Sequence, residues 1–158
     1  VRRPDEFAYG EACATPRRRS QDGGLSSLET PMDPIARWHA VVEARDMAAL
    51  KDLIAEEAVF ESPVVHTPQV GKAITVKYLA GALQVLNNET FRYVGEWRAE
   101  RSAVLEFACE IEGIAVNGVD IVSWNEAGKI THFKVMIRPL KAINLVHRMM
   151  GELLAQAG

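Results

Sequence analysis

The spacing of apolar residues switches from a helical period to a twofold one at Asn87-Asn88, and this switch restricts the fold more than any other feature of the chain. Before it, Asp33-Pro34 opens a helix: the aspartate caps it, and a proline at the first helical position sacrifices no hydrogen bond. Ile35, Trp38 and Val42 recur at intervals of three and four, which predicts one buried face. Asp46 caps a second, short helix with Leu50, Leu53 and Ile54 inside, and residues 58–61 predict a first strand. Pro63 and Pro68 exclude regular structure as far as Gly71, so a loop is expected there. A third helix is predicted from Lys72 to Leu86, burying Ile74, Tyr78, Leu79, Leu83 and Leu86.

After the switch, Phe91, Tyr93 and Trp97 share one parity. Leu105, Phe107, Cys109 and Ile111 share another, opposed to Glu106, Glu110 and Glu112. Half-buried antiparallel strands alternate in this way. Asn117-Gly118 is the expected hairpin turn between a strand over 103–115 and one over 119–124. Residues 126–129 form the next turn, ahead of a strand from Ile130 to Arg138. Pro139 ends that strand, and Ile143, Val146, Met150 and Leu153 mark a last amphipathic helix. Helices segregated from a strand meander predict an α+β fold: a curved antiparallel sheet packed on three N-terminal helices, with an extra C-terminal helix and a concavity between the layers.

Composition narrows the function. A chain of 158 residues that is 48% hydrophobic carries one core of ordinary size. A formal charge of −3 leaves no basic excess, so nucleic acid is not an expected partner. No apolar run approaches the roughly 20 residues of a membrane span, and none resembles a secretory signal. Cys13 and Cys109 lie in unrelated contexts and predict no disulfide, so a reducing cytoplasm is the expected location. Residues 1–31 are sparse in apolar side chains and read as a disordered arm, with the folded domain over 32–158 and a native start at Met32 as a further expectation. His39, His66, His132 and His147 show no ligand spacing, and there is no glycine-rich phosphate loop or Gly-x-Ser-x-Gly elbow. Neither a metal nor an organic cofactor is expected.

Three segments carry a family resemblance: Ala-Arg-Trp-His at 36–39 leading to Arg45-Asp46, Val-Phe-Glu-Ser-Pro at 59–63 with Gly71-Lys72 after it, and the stretch from Val119 to Ile130. In this order and spacing they resemble the nuclear transport factor two-like superfamily of cone-shaped α+β domains. Its members include ketosteroid isomerases, limonene epoxide hydrolases and SnoaL-like polyketide cyclases. The resemblance implies an apolar pocket for a small hydrophobic molecule and a homodimer through the sheet. In ketosteroid isomerase a carboxylate base moves the proton while a tyrosine and a protonated aspartic acid hold the enolate oxygen. By resemblance Asp120 stands at the protonated acid, Ser62 at the base and Trp38 at the tyrosine, with Leu79 and Ile54 where supporting tyrosines would be. Serine without an adjacent base takes up no proton near neutrality, and an indole is a donor only, so steroid-type isomerisation is disfavoured.

Asp120, flanked by Val119, Ile121 and Val122, is the first catalytic candidate, since apolar walls would raise its pKa and leave it a hydrogen-bond donor or general acid. Facing solvent instead, it would carry no such role. His66, after Pro63, is the second candidate, as a base at the pocket mouth in competition with a plain surface position. Trp38, Ser62, Tyr78, Phe107 and Phe133 are the expected ligand contacts, though the aromatic residues equally suit packing. Arg138 suits a ligand carboxylate or a solvated strand end, and His39 reads as peripheral. The resulting expectation is a binder of small hydrophobic molecules performing cofactor-free isomerisation, cyclisation or hydrolysis. The alternative is a non-catalytic binding or dimeric interaction module.

Overall fold

The computed structural model describes residues 33–156; the expected arm and the start at Met32 lie outside them. Helices α1 (Pro34–Ala44) and α2 (Met47–Leu53) lead into strand β1 (Ile54–Glu61) and the short β2 (Gln69–Val70). Helix α3 (Lys72–Leu86) is followed by β3 (Arg92–Arg98), β4 (Ser102–Ile111), β5 (Ile114–Trp124) and β6 (Ile130–Arg138), and α4 (Leu140–Gln156) closes the order. The six strands form one curved, unclosed sheet in the order β2-β1-β6-β5-β4-β3, antiparallel except for the β1–β6 pair. This is the predicted α+β cone.

Local chemistry accounts for the helix starts. Asp33 Oδ1 accepts from the Ile35 amide at 3.2 Å, and Asp46 Oδ1 accepts from Ala48 and Ala49 at 2.9 and 3.0 Å. Each cap stabilises its helix by about 1 kcal/mol. The core lies between helices and sheet, where Ile35, Leu50, Leu53, Leu105, Val122 and Ile130 are fully buried. Removing one such side chain to alanine costs about 2–5 kcal/mol through lost transfer energy and the cavity left behind. Helix α4 packs on α3, β5 and β6. It inserts Val146 and Met150, and α3 meets it at Gly81, where an added Cβ would stand 3.1 Å from Met150 Cε and Leu153 Cδ2.

Four local expectations are corrected. The stretch expected to be loop as far as Gly71 ends in β2, whose Gln69 and Val70 pair with Phe60 and Val59 of β1 directly after Pro68. Asn117-Gly118 is no turn but the middle of β5; the hairpin bends at Glu112-Gly113, both with positive φ (51° and 73°), between the paired Ile111 and Ile114. A two-residue hairpin of this hand needs positive φ at both central positions. Gly118 serves close packing instead, because a Cβ there would meet Phe107 Cζ and the Met136 carbonyl, each at 2.5 Å. Ile54 belongs to β1, where it pairs with Ile130, and not to the preceding helix. Trp97 does not share the face of Tyr93. The register shifts between Tyr93, opposite Phe107, and Gly95, opposite Glu106, and the extra residue of this bulge reverses the parity beyond it. Trp97 is left 58% exposed on the outer face.

Candidate functional site

Every second residue of β5 from Val116 to Val122 points into the core, and Asp120 is the one carboxyl in that row. It is 6% exposed, between Leu105 of β4 and Val135 of β6. Burial pushes its carboxyl up from the ordinary 3.8 to about 7, with the hydrogen bond from Tyr93 pulling the other way. The Tyr93 hydroxyl donates to Asp120 Oδ2 at 3.1 Å, and Trp38 Nε1–H donates to the Tyr93 oxygen at 2.8 Å. Because an indole N–H only donates, the sense of this chain is set: Trp38 to Tyr93 to Asp120. Burial, and then the charge of Asp120, hold the Tyr93 phenol well above its ordinary value, so it remains protonated.

Asp120 Oδ1 has no protein partner among the described residues, yet no sealed side-chain polar atom is left unsatisfied. The oxygen therefore opens on space. That space is a narrow apolar pocket between α3 and the sheet, with a free volume of about 30 Å³, room for about one or two water molecules before its side chains move apart. Leu79, Leu83 and Leu86 of α3 form one wall, and Trp38, Phe91, Phe107 and Phe133 form the others. Trp38 and Phe133 pack at 4.8 Å between ring centroids and Phe91 and Phe107 at 5.7 Å, so the walls are supported aromatic pairs. A second narrow apolar pocket of about 20 Å³ shares Ala82, Leu86 and Val135 with the first and is closed on one side by Val146 and Met150 of α4.

The expected site residues are divided between these spaces. Asp120, Trp38, Phe107 and Phe133 line the first pocket. Ser62 and Tyr78 line the second, where the Ser62 hydroxyl accepts from the Val64 amide at 3.2 Å. His66 is exposed and lines neither pocket. Ser62, Pro63 and Val64 at the start of its loop do line the second pocket, but His66 itself turns to solvent and does not. Arg138 is exposed, with Nε donating to Asn117 Oδ1 at 2.7 Å. His39, read as peripheral, lies 2.7 Å from Glu96 Oε2, and its ring meets the Tyr93 ring edge-on at 4.9 Å. Tyr93 was missed as a site residue. The phenol that faces Asp120 comes from β3, while Trp38, assigned the tyrosine's place, supports that phenol from behind. The parity of Phe91 and Tyr93 against Phe107 carried the signal, but it was read only as packing.

Among the described residues, no group of three or more His, Cys, Asp or Glu side chains is arranged to hold a metal ion, and no helix is long and apolar enough to cross a membrane. The chemistry available at the pocket is that of one carboxyl poised between acid and carboxylate near neutral pH.

The family model for the SnoaL-like domain matches residues 35–133, from α1 into the first half of β6. The chain belongs to the SnoaL-like family. This SnoaL-like domain superposes on a steroid delta-isomerase from Pseudomonas aeruginosa with a TM-score of 0.74 and 32% identity, over 78% of this chain and 90% of that one. It also matches a protein with a cystatin-like fold from Silicibacter pomeroyi at 29% identity and a TM-score of 0.72, over 80% and 89% of the two chains. SalBIII, an epoxide hydrolase/cyclase-like enzyme acting in pyran ring formation, shares the fold at 20% identity and a TM-score of 0.54, over 66% of this chain and 88% of its own. No curated protein matches the chain by sequence. The SnoaL-like fold is thus shared with isomerases and cyclases.

Proposed function

We propose that this SnoaL-like domain binds a small hydrophobic molecule in the pocket between α3 and the sheet, with Asp120 in its neutral form donating a hydrogen bond to a carbonyl or ether oxygen of that molecule. The observation that carries the reading is the division of labour at Asp120: Oδ2 is taken by Tyr93, while Oδ1 has no protein partner and borders an apolar space. A carboxylic acid in that position stabilises charge developing on a ligand oxygen, and at a pKa of about 7 it also serves as a general acid. No other Asp, Glu or His lines either apolar pocket. Acid-assisted, cofactor-free isomerisation, cyclisation or hydrolysis in which the substrate or water supplies the nucleophile suits this set, since no second carboxylate or histidine lines the pockets to take up a proton while Asp120 donates one. The same lack of a paired base favours, as the second reading, a pocket that binds without turnover.

A homodimer through the outer sheet face accompanies this reading. Trp97, paired with Val104, and Met136, paired with Val119, stand on that face, 58% and 57% exposed. The buried free thiol of Cys109 suits the reducing cytoplasm.

The test uses a chromophoric enone, 3-phenyl-2-cyclohexen-1-one, whose absorbance moves to the red when its oxygen accepts a strong hydrogen bond. The bound spectrum should show that displacement at pH 6 and lose it as pH rises through about 7. Asp120→Leu should bind the enone with an unshifted spectrum. An identical shift in that variant would remove Asp120 from the site.

A further inference from the structure

Beside the apolar pocket, and outside it, runs an open groove between the end of α1 and the start of β3. Asn87, Phe91 and Tyr93 line both spaces, so the apolar interior and the polar groove adjoin along these three residues. The groove is lined further by His39, Glu43, Arg45 and Arg92. Its two arginines face Glu43 in the lining, while the nearby Glu96 is taken up by His39 and Arg98.

These arginines differ from most others of the domain. Arg37, Arg98, Arg101 and Arg148 each hold a carboxylate side chain in an ion pair. Arg45 and Arg92 hold none among the described residues, although Glu43 lines the same groove. Their protein acceptors are backbone carbonyls: Arg45 donates to Asn87 O, and Arg92 donates to Thr90 O at 3.4 Å. Arg45 leaves α1 in the left-handed conformation (φ 53°), and Asn87 Nδ2 donates back to Val42 O at 2.6 Å. The first guanidinium is thereby tied to Asn87 itself, and the second follows from the β3 backbone one residue before Tyr93. Most of the five N–H donors on each guanidinium remain available to a ligand. Guanidinium groups suit planar oxyanions, to which they donate two parallel hydrogen bonds.

We infer that the groove is an anion subsite for the pocket: the ligand class is an amphipathic carboxylate whose ring or chain lies in the apolar pocket and whose carboxylate sits at Arg45 and Arg92. This deepens the pocket reading above and rests on it. An apolar body and an anionic end also set polarity along the ligand, which directs its middle, and any oxygen there, toward Tyr93 and Asp120.

A matched pair of probes separates the two readings: 4-phenylbutyrate and 4-phenylbutan-1-ol share one apolar frame and differ in charge at its end. Titration calorimetry at low ionic strength should give the acid an advantage of about tenfold over the alcohol, the scale expected of two partly exposed charge pairs. That ratio should collapse to about one in the Arg45→Gln/Arg92→Gln double variant, and in the parent protein in 0.5 M salt, where exposed charges are screened. Arg92→Gln alone leaves the Asn87 brace untouched and should remove about half of the advantage on a logarithmic scale. If both probes bind with a ratio near one in the parent protein, the subsite is wrong and the apolar pocket stands. If the acid keeps its advantage in both arginine variants, its carboxylate binds elsewhere and the assignment fails. If neither probe binds, the pocket reading fails and the subsite with it.

Discussion

The burial of Asp120 makes the stability of this domain depend on pH in a direction opposite to that of most carboxylates. The perturbation is Asp120→Asn, which keeps the shape and the acceptor for Tyr93 but cannot ionise. Below about pH 4 both the folded and unfolded states of the parent hold the proton, and burial costs little. As pH rises the unfolded chain releases its proton near the ordinary 3.8, while the folded chain keeps it until about 7. The native state then binds more protons than the unfolded one, so stability falls with pH across that window and levels off above it. At about 1.36 kcal/mol per pH unit the full penalty is about 4 kcal/mol, rather more than half of which falls between pH 5 and pH 8. Against the 5–15 kcal/mol typical of a domain, that is a large share. Asp33, Asp52, Glu61 and Glu96 are held below their ordinary values and act in the opposite sense at lower pH. They are common to both proteins and cancel in the comparison. Urea unfolding followed by circular dichroism should therefore show the parent losing about 2–3 kcal/mol relative to Asp120→Asn from pH 5 to pH 8. A difference that stays flat over that range would falsify the claim that this carboxyl is dry.

Tyr93→Phe removes the bond that draws the Asp120 pKa down, so the acid's midpoint should move above about 7 in a carbon-13 NMR titration. It also leaves Trp38 Nε1 without its acceptor, a loss of about 1–3 kcal/mol in stability; an unmoved midpoint contradicts the Trp38–Tyr93–Asp120 chain. Gly118→Ala should destabilise by about 1–3 kcal/mol through overpacking against Phe107 and the Met136 carbonyl, and an unfolding midpoint equal to the parent's would show that β5 has room there. Trp97→Lys on the outer face should move the mass measured by light scattering from dimer to monomer with secondary structure intact; a parent that is already monomeric dismisses the sheet-face dimer.

How far the site was legible follows from the range of each interaction. Asp120 was readable through the family resemblance and its apolar flanks Val119, Ile121 and Val122; alternation alone does not predict it inside, because Val119 and Ile121 point to the other face of β5. Phe107 and Phe133 were readable because alternation along one strand is a local property. Tyr93 was not read as a partner of Asp120, because the contact spans 27 residues and requires β3 to lie beside β4 with a bulge after Tyr93. His66 illustrates the opposite error. Its residue type suited a base and the start of its loop lines the second pocket, but His66 itself faces solvent, and a histidine's chemistry says nothing of where its side chain stands.

By itself, the sequence determined the helices, their caps, the strands and the fold class, since each depends on side chains a few residues apart whose period of burial is written into the chain. The register of the sheet lay beyond it. One extra residue in β3 turned Trp97 out to solvent and left Tyr93 inside, an outcome set by pairing with a distant strand. The protonation of Asp120 was decided in the same way, because desolvation is imposed by walls drawn from α1, α3 and β3 to β6, and only their assembly removes the water that would otherwise keep a carboxyl ionised.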